Sequence, residues 1–372
     1  DRIPIIDVVK VSGREKCIAC KSGVFEFQED GVLHEMSMEK SVDMYLLNRI
    51  AAALKMDIVE ETTITEALIQ NHAPEFFGYL KSTFGDNFMD AAQSLLEMMG
   101  YVISNFRSAK KAFFLVGSAN SGKSLMLNLV KEIVGDKNVS FVELHKLGER
   151  FNKAELHGKL VNLCSEIPTK KVADIDSFKR VVGNDMIYAE FKGRDPFSFH
   201  CQTALLTAGN HLPNFAVGDG TSSISTRIHV LAFTKEIPVE ERDTQLEGKL
   251  IAEKDAIFSL AMLALRLLIV GQFQFTLTED SSKLLNAYNA DSKAYKEFVN
   301  ECCSFGAEFK VYKQDLWEAY QSFCEGNGID NVLTRKLFFI KVGELPNVSS
   351  GKGRISGGKS LALFSGIKLK TY

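Results

Sequence analysis

The sequence predicts an α/β fold in which helices flank a parallel sheet, with a mainly helical region before it and a winged-helix-like domain after it. Three observations predict this arrangement. Short apolar runs alternate with amphipathic stretches over residues 112–275, as in a sheet built from strand–helix units. Helical periodicity dominates residues 41–106. Three helical stretches over residues 291–343 precede a Gly-rich basic hairpin.

Composition indicates a globular protein of two or three domains. The chain has 372 residues, 45% hydrophobic and 24% charged, which excludes disordered and fibrous classes. We place the domains at residues 1–84, 85–278 and 279–372. Apolar runs stay well below the ~20 residues of a membrane span. Because the seven cysteines are odd in number and scattered, we expect a reducing, cytoplasmic location without membrane partners. The start at Asp1 is typical of neither a signal peptide nor an initiator, so we expect a further domain upstream.

The N-terminal region begins with strands and continues with helices. Residues 24–28 alternate as a strand, and residues 44–54 and 88–102 follow helical periodicity. Cys17 and Cys20 have the spacing of zinc ligands, but no second pair stands at a matching distance. We favour reduced thiols, with a metal site as the alternative.

Four compact apolar runs are the candidate strands of the sheet: residues 112–116, 160–164, 204–207 and 229–233. Short runs that are mainly apolar are typical of strands that are covered on both faces. A strongly apolar stretch at residues 257–269 predicts a helix that closes the domain.

An eight-residue phosphate-binding pattern, G-x-x-x-x-G-K-[ST], follows the first of these strands. The nucleotide contacts that we predict are Gly117, Ser118, Ala119, Asn120, Ser121, Gly122, Lys123, Ser124 and Leu125. Glycines let backbone N–H groups turn toward phosphates, the lysine reaches the β- and γ-oxygens, and the serine hydroxyl binds Mg²⁺. The pattern therefore predicts ATP and Mg²⁺ as ligands.

The same pattern occurs a second time at residues 353–360. The first copy follows an apolar strand and opens an amphipathic helix, whereas the second follows a polar loop close to the end of the sequence. Because phosphate binding needs a strand, a loop and a helix in that order, we assign the site to the first copy. We interpret the second as the tip of a basic hairpin.

Polar residues end two later strands. Glu166 follows residues 160–164, where an acid can hold Mg²⁺ through water and position the attacking water. Asn210 follows residues 204–207, where an amide can reach the γ-phosphate. The alternative for Glu166 is an ordinary surface acid at a strand end, and the alternative for Asn210 is an ordinary turn residue.

The order of five segments resembles superfamily 3 helicases, which have an AAA+-like core, and most closely their phage, plasmid and poxvirus primase–helicase branch. These segments are GSANSGKS, LVNLCSEI, FKRVVGNDMIYAEFKGRDPFSF, ALLTAGNHLP and STRIHVLAF. The resemblance covers about residues 85–275. It implies a homo-oligomeric ring, expected to be a hexamer, that moves 3′ to 5′ along one DNA strand. An upstream primase–polymerase domain would fit this family.

The resemblance also implies residue roles. Glu166 is the Walker B acid and Asn210 is sensor 1. Lys192, close to Arg194, lies on a hairpin that grips DNA in the pore. Arg227 is an arginine finger that reaches a neighbour's ATP, and Lys179 is a second basic group at that interface. The family commonly has two adjacent acids at the Walker B strand, whereas this chain has Ser165 before Glu166.

The C-terminal segment is basic. From Arg335 onward the sequence has eight basic residues and one acid, a net charge of +7. Because the whole chain has a net charge of −3, the residues before Arg335 carry −10. A winged-helix arrangement would direct Arg335, Lys336 and Lys341 of the third helix toward phosphates. The DNA contacts predicted on the wing are Lys352, Arg354 and Lys359. The alternative is a protein-interaction domain with an incidental basic surface.

Two other function classes remain open from the residues. One is a different P-loop enzyme, such as a nucleoside kinase or a packaging motor. The other is an origin- or partner-binding module in which ATP only controls assembly. A solvated charged turn is the alternative for Lys192 and Arg194.

Overall fold

The computed structural model describes residues 14–43, 48–167, 172, 174–213, 215, 224–329, 333, 335–354 and 360–370. It divides into two compact units, one up to Ser282 and one from Lys283. In the described residues, no helix is both long and apolar enough to span a membrane.

The first unit contains a large central sheet and smaller antiparallel sheets, with helices around them. Its strands are β1 (Cys17–Cys20), β2 (Gly23–Phe27), β3 (Leu33–Glu35), β4 (Ala112–Gly117), β5 (Val139–Ser140), β6 (Val161–Cys164), β7 (Met186–Ala189), β8 (Phe197–His200), β9 (Ala204–Gly209) and β10 (Ile228–Phe233). Its helices are α1 (Met38–Asp43), α2 (Met56–Val59), α3 (Glu66–His72), α4 (Pro74–Phe84), α5 (Phe88–Ile103), α6 (Lys123–Val134), α7 (Arg150–Ala154), α8 (Ile175–Val182), α9 (Leu246–Ala252) and α10 (Lys254–Val270).

The central sheet of the described chain is five-stranded and parallel, in the order β10-β4-β9-β6-β5. Helices α5, α6 and α8 contact strands of this sheet, and α10 packs against α5 and α6. Strands β4, β9 and β10 are buried along almost their whole length, because the sheet is covered on both faces. The predicted parallel α/β architecture is confirmed.

The helix that we predicted over residues 44–54 is wrong in its second half, and its first four residues lie outside the described chain. Residues 48–54 are irregular. The Ile50 amide donates to the Ala19 carbonyl (2.8 Å), and the Ala51 amide donates to the Ile133 carbonyl (2.7 Å). Backbone groups that bond to a strand and to a helix end cannot also bond within a local helix.

The paired cysteines of β1 do not form a chelating pair. Cys17 and Cys20 are three residues apart on a strand, so their side chains point to opposite faces. Both are buried. Within the described residues, no group of three or more potential ligands could hold a metal. The alternative of a zinc site is therefore not supported.

A buried arginine fixes the chain just before β4. Arg107, only 6% exposed, donates to the carbonyl oxygens of Leu160 (3.0 Å) and Gln202 (2.7 Å) as well as to carbonyls of its own segment. Burial lowers its pKa to about 10, so the guanidinium remains charged at neutral pH. Since Leu160 and Gln202 precede β6 and β9, Arg107 aligns the amino ends of the sheet.

The second unit has helices on an antiparallel sheet. Its elements are α11 (Glu279–Cys302), which begins before the boundary, then β11 (Cys303–Tyr312), α12 (Lys313–Gly326), α13 (Arg335–Gly343), β12 (Ser349–Gly353) and β13 (Leu361–Leu369). The strand order is β11-β13-β12. Strands β12 and β13 are antiparallel, so the second G-x-x-x-x-G-K-S pattern joins two strands of a hairpin, as predicted. Strand β11 was not predicted.

A buried histidine makes the first unit sensitive to acid. His229 is 5% exposed, its Nε2 lies 3.1 Å from the Ser94 hydroxyl, and its ring contacts Phe113 and Phe275. Burial, with a smaller contribution from the charge of Lys111, lowers its pKa to about 3. The unfolded chain therefore binds a proton below about pH 6.5 that the folded chain excludes.

We expect the free energy of unfolding to fall by about 2 kcal/mol between pH 8 and pH 5 through this histidine alone. His229→Gln keeps a hydrogen-bonding partner for Ser94 but cannot titrate. Urea unfolding of the wild type and of His229→Gln at pH 8 and pH 5 isolates the contribution of His229, because all other titratable groups are the same in the two proteins. Equal pH dependence in the two proteins would show that His229 is not the responsible group.

Candidate nucleotide-binding site

The predicted phosphate loop connects β4 to α6 at the carboxyl edge of the sheet. β4 ends at Gly117 and α6 begins at Lys123. A Cβ on Gly117 would lie 1.9 Å from the carbonyl oxygen of Phe233 on β10, so only glycine fits there. Gly122 has a φ of 88° and Asn120 a φ of 59°, both in the left-handed region. The loop therefore turns back on itself as a phosphate cradle requires.

The ammonium group of Lys123 lies inside this loop. It donates to the carbonyl oxygen of Gly117 (3.0 Å), to that of Ser118 and to the hydroxyl of Ser121 (3.0 Å). The residue is 8% exposed, and burial lowers its pKa. A cation enclosed by backbone carbonyls at a helix N-terminus is placed to attract a polyanion.

Ser124 and Leu125 form the first turn of α6 and line a cavity of about 560 Å³ together with Asn120, Ser121, Gly122 and Lys123. The other walls come from α4 and from residues 237–246, which include Arg242. Sequence patterns did not indicate these walls, since they lie about 40 residues before and about 120 residues after the loop. Nothing in their local sequence marks them as a binding surface.

Glu166 and Asn210 both follow strands at the edge that carries the phosphate loop. Asn210 follows β9, the direct neighbour of β4, and Glu166 follows β6, one strand further, so their strands lie about 5 and about 10 Å from β4. Both side chains are exposed. Glu166 lines a separate cavity of about 470 Å³ with Asn128 and Lys131 of α6.

The donors at this edge suit Mg²⁺. The Ser124 hydroxyl and the Glu166 carboxylate are oxygen ligands, which this ion prefers, and Mg²⁺ usually completes its octahedron with waters and substrate phosphates. Two protein ligands can therefore be enough, and the donor types fit Mg²⁺. Ser124 and Glu166 line separate cavities, however, and the ion stays a prediction.

Arg227 lies at the opposite edge of the sheet. It precedes β10, its carbonyl accepts from the Ala112 amide (2.7 Å) at the start of β4, and its amide donates to the Ile224 carbonyl (2.8 Å). Because β4 and β10 run parallel for six residues, about 20 Å of strand separates Arg227 from the phosphate loop of its own chain. Lys179 is half-buried on α8, and its role at a subunit interface stays a prediction.

Lys192 and Arg194 lie in the exposed turn of the β7–β8 hairpin. Two contacts close the turn: the Arg194 amide donates to the Phe191 carbonyl (2.9 Å), and the rings of Phe191 and Phe197 stack with their centres 5.2 Å apart. An ion pair between Arg150 and Glu190 (3.0 Å) ties the hairpin to α7. The placement agrees with the hairpin that the family resemblance implied, and contact with DNA stays a prediction.

The basic groups of the second unit are not equally accessible. Lys352 and Arg354 are exposed at the end of β12, as are Arg335 and Lys336 on α13. Lys341 is only 9% exposed, with its Nζ 5.8 Å from the centre of the Tyr295 ring. The expectation that Lys341 faces phosphates is wrong, because its side chain packs inward. Lys359 lies outside the described residues.

Two family models match parts of the chain. Residues 115–227 match a model described as a family of unknown function (DUF5906), and residues 295–354 match one described as poxvirus D5 protein-like. The first match runs from β4 to Arg227, so it contains the phosphate loop, Glu166, Asn210 and the hairpin. The second covers much of the C-terminal unit.

Solved structures of one other protein align over most of the chain at low similarity. "The A form apo structure of NrS-1 C terminal region-CTR" has a TM-score of 0.41 and 12% identity, covering 94% of this chain and 95% of that one. "The apo structure of NrS-1 C terminal region (305-718)" has a TM-score of 0.40 and 11% identity, with the same coverage.

Proposed function

We propose that this chain is an ATP-dependent DNA helicase that assembles into a ring, expected to be a hexamer, and moves 3′ to 5′ along single-stranded DNA. The observation that carries the proposal is that two basic side chains lie at opposite edges of the same parallel sheet. Lys123 lies at the carboxyl edge within a phosphate cradle, and Arg227 lies at the amino edge, about 20 Å away.

The residues at the carboxyl edge divide the chemistry of hydrolysis. Lys123 donates to the β- and γ-phosphate oxygens, and the loop amides hold the same oxygens. Ser124 and Glu166 would hold Mg²⁺, and the ion would supply positive charge that offsets the charge of the phosphates. Glu166 also accepts a hydrogen bond from the attacking water, and Asn210 orients that water against the γ-phosphate. A single acid serves both purposes here, because Ser165 stands beside it.

A ring explains where Arg227 acts. One strand length separates it from its own loop, so a guanidinium there can stabilise the transferring γ-phosphoryl group only in a neighbouring subunit. Head-to-tail contacts that close into a ring join two different surfaces of the subunit, which allows the amino edge of one subunit to face the carboxyl edge of the next. Hydrolysis then depends on ring geometry, which couples ATP to movement of the hairpins.

The poxvirus D5 protein-like match in the C-terminal unit supports the primase–helicase branch that the motif order suggested. A primase–polymerase domain upstream, and DNA contacts by Lys352, Arg354 and Lys359, belong to the same proposal. A motor of this kind must accept any sequence, and contacts to phosphates rather than bases allow this.

Strand displacement from a forked DNA tests the activity. We expect the chain to release the displaced strand with ATP and Mg²⁺ but not with ADP. Glu166→Gln, which keeps the size of the side chain, should lose both hydrolysis and displacement. Hydrolysis without displacement would refute the helicase and leave the ATPase. Retained biological function in Glu166→Gln would favour the assembly module, in which ATP is not turned over.

The hairpin turn should couple hydrolysis to unwinding. Removing the exposed charge of Lys192 as Lys192→Ala should abolish most displacement while hydrolysis without DNA remains at the wild-type rate. The slope of log affinity against log salt for single-strand binding should become shallower by about one unit for each phosphate that is no longer neutralised. Lys137→Ala removes another exposed lysine and serves as the matched control. Unchanged displacement in Lys192→Ala would remove this hairpin from the DNA path.

A further inference from the structure

An aromatic ring lies in solvent just after β5, on the edge of the sheet that carries the phosphate loop. Phe141 is 63% exposed, the highest value for an aromatic residue in the described part of the chain, whereas its neighbours Ser140 and Val142 are buried. Single exposed apolar residues are common in proteins. Phe141 is informative because of what holds it in place and what lies beside it.

A buried asparagine fixes the backbone on both sides of Phe141. Asn162 of β6 is 0% exposed. Its Oδ1 accepts from the Ser140 hydroxyl (2.9 Å) and the Val142 amide (2.7 Å), and its Nδ2 donates to the Val142 carbonyl (2.8 Å). Since the pairing of β5 with β6 ends at Ser140, this side chain replaces the next step of the ladder. Buried hydrogen bonds of this kind hold a segment rigidly, so the phenyl ring is presented from a fixed position.

Phe141 lines the cavity of about 470 Å³ that also contains Glu166. Leu127 and Leu163 add apolar surface to it. An aromatic anchor and aliphatic side chains beside polar groups are typical of contact sites between proteins. The ring and the cavity both lie at the carboxyl edge of the sheet, where the proposed mechanism requires a neighbouring subunit.

The two edges of the sheet carry opposite charges. The segments that precede β4 and β10, residues 104–111 and 224–227, contain four basic residues and no acid. The segments that follow β5 and β6, residues 141–143 and 165–167, contain two acids and no basic residue. Complementary charges steer unlike edges together and oppose contacts between like edges. A second copy of this chain is therefore suited to cover the carboxyl edge.

We propose that Phe141 and the cavity beside it form part of the contact between subunits, and that the amino edge of a second copy of this chain covers them. The inference rests on the proposed ring and names a surface through which it closes. Burial of the phenyl ring supplies apolar contact, and the charges of the two edges set the orientation. Because Glu166 lines the same cavity, the neighbour also forms a wall of the space in front of this acid.

Substitutions at Phe141 can be compared with a matched change elsewhere on the surface. Phe141→Ser removes the ring, whereas Phe141→Leu keeps much of its apolar surface. Phe305→Ser is the control, because Phe305 is also an exposed phenylalanine (50%) and belongs to the second unit. Circular dichroism, with ADP binding at low protein concentration, identifies any variant whose first unit has not folded.

Sedimentation velocity of the whole chain over a range of concentrations, with a slowly hydrolysed ATP analogue and Mg²⁺, measures assembly. We expect Phe141→Ser to need about tenfold more protein than the wild type for half-assembly, as is typical when an aromatic anchor is removed. Phe141→Leu should need less of an increase, and Phe305→Ser should assemble like the wild type. Unchanged assembly of folded Phe141→Ser would overturn this inference and leave the ring in place. A wild-type chain that stays monomeric would overturn both.

Photo-cross-linking identifies what covers the ring. A chain with p-benzoylphenylalanine in place of Phe141 is mixed with isotope-labelled unmodified chain and single-stranded DNA, and mass spectrometry identifies the products. We expect cross-links from position 141 to residues 104–111 or 224–227 of the labelled chain when the ATP analogue is present. Cross-links to DNA would instead make Phe141 a nucleic-acid contact, and cross-links to another surface of the labelled chain would refute the pairing of the two edges.

Discussion

Lys123→Ala should reduce ATP turnover on the order of 10³-fold, to the background of the assay. Lys123 is the cation enclosed by the loop, and its ammonium is within 3.0 Å of the carbonyl of Gly117 and the hydroxyl of Ser121. Alanine cannot bridge the β- and γ-phosphates or offset their charge as the bond to the leaving oxygen breaks. Phosphate release measured without DNA, at saturating ATP and Mg²⁺, reports this directly.

The chain supplies its own control, because the phosphate-binding pattern occurs twice. Lys359→Ala changes the corresponding lysine of the second copy and should leave turnover without DNA at the wild-type level. Substantial hydrolysis by Lys123→Ala, or its loss in Lys359→Ala instead, would refute the assignment of the site. Circular dichroism of both variants checks that the sheet is intact.

Arg227→Ala should lose turnover by about 10³–10⁵-fold while ADP binding stays within about twofold of the wild type. The guanidinium lies one strand length from its own loop, so its removal leaves that loop's contacts to phosphate in place. Arg227→Lys keeps the charge but not the planar fork of donors, so we expect it to recover only a small part of the rate. ADP binding and hydrolysis are measured on the same preparation.

A loss of ADP binding that matches the loss of turnover would contradict the assignment, because it would place Arg227 within its own nucleotide site or in the folding of the strand pair. Hydrolysis at the wild-type rate would show that Arg227 takes no part in the reaction.

The central sheet could be predicted because its strands carry their own signal. The runs that became β4, β6, β9 and β10 are mainly apolar, and burial on both faces favours such sequences. The phosphate loop was predictable for a similar reason, since glycine at Gly117 and Gly122 is imposed by contacts of the loop with β10 and Tyr79. At these positions the residue type that the local sequence pattern contains is also the one that the tertiary contacts require.

Features that depend on distant partners could not be predicted. Residues 48–54 have an apolar pattern like that of a helix, but their amides bond to Ala19 and Ile133. Strand β11 pairs with β13, more than 50 residues later, and its register shifts between Phe305 and Lys310, so its alternation is broken. The α4 wall of the cavity has helical periodicity and nothing that marks a ligand site.

The most direct test of a shared catalytic site is to mix Lys123→Ala and Arg227→Ala subunits, each inactive alone. In a ring with random order, about a quarter of the interfaces join an intact loop from one variant to an intact arginine from the other. We expect turnover to return on mixing, toward that fraction of the wild-type rate. A mixture that stays as inactive as its two components, while gel filtration shows that the subunits have exchanged, would contradict a site shared between subunits.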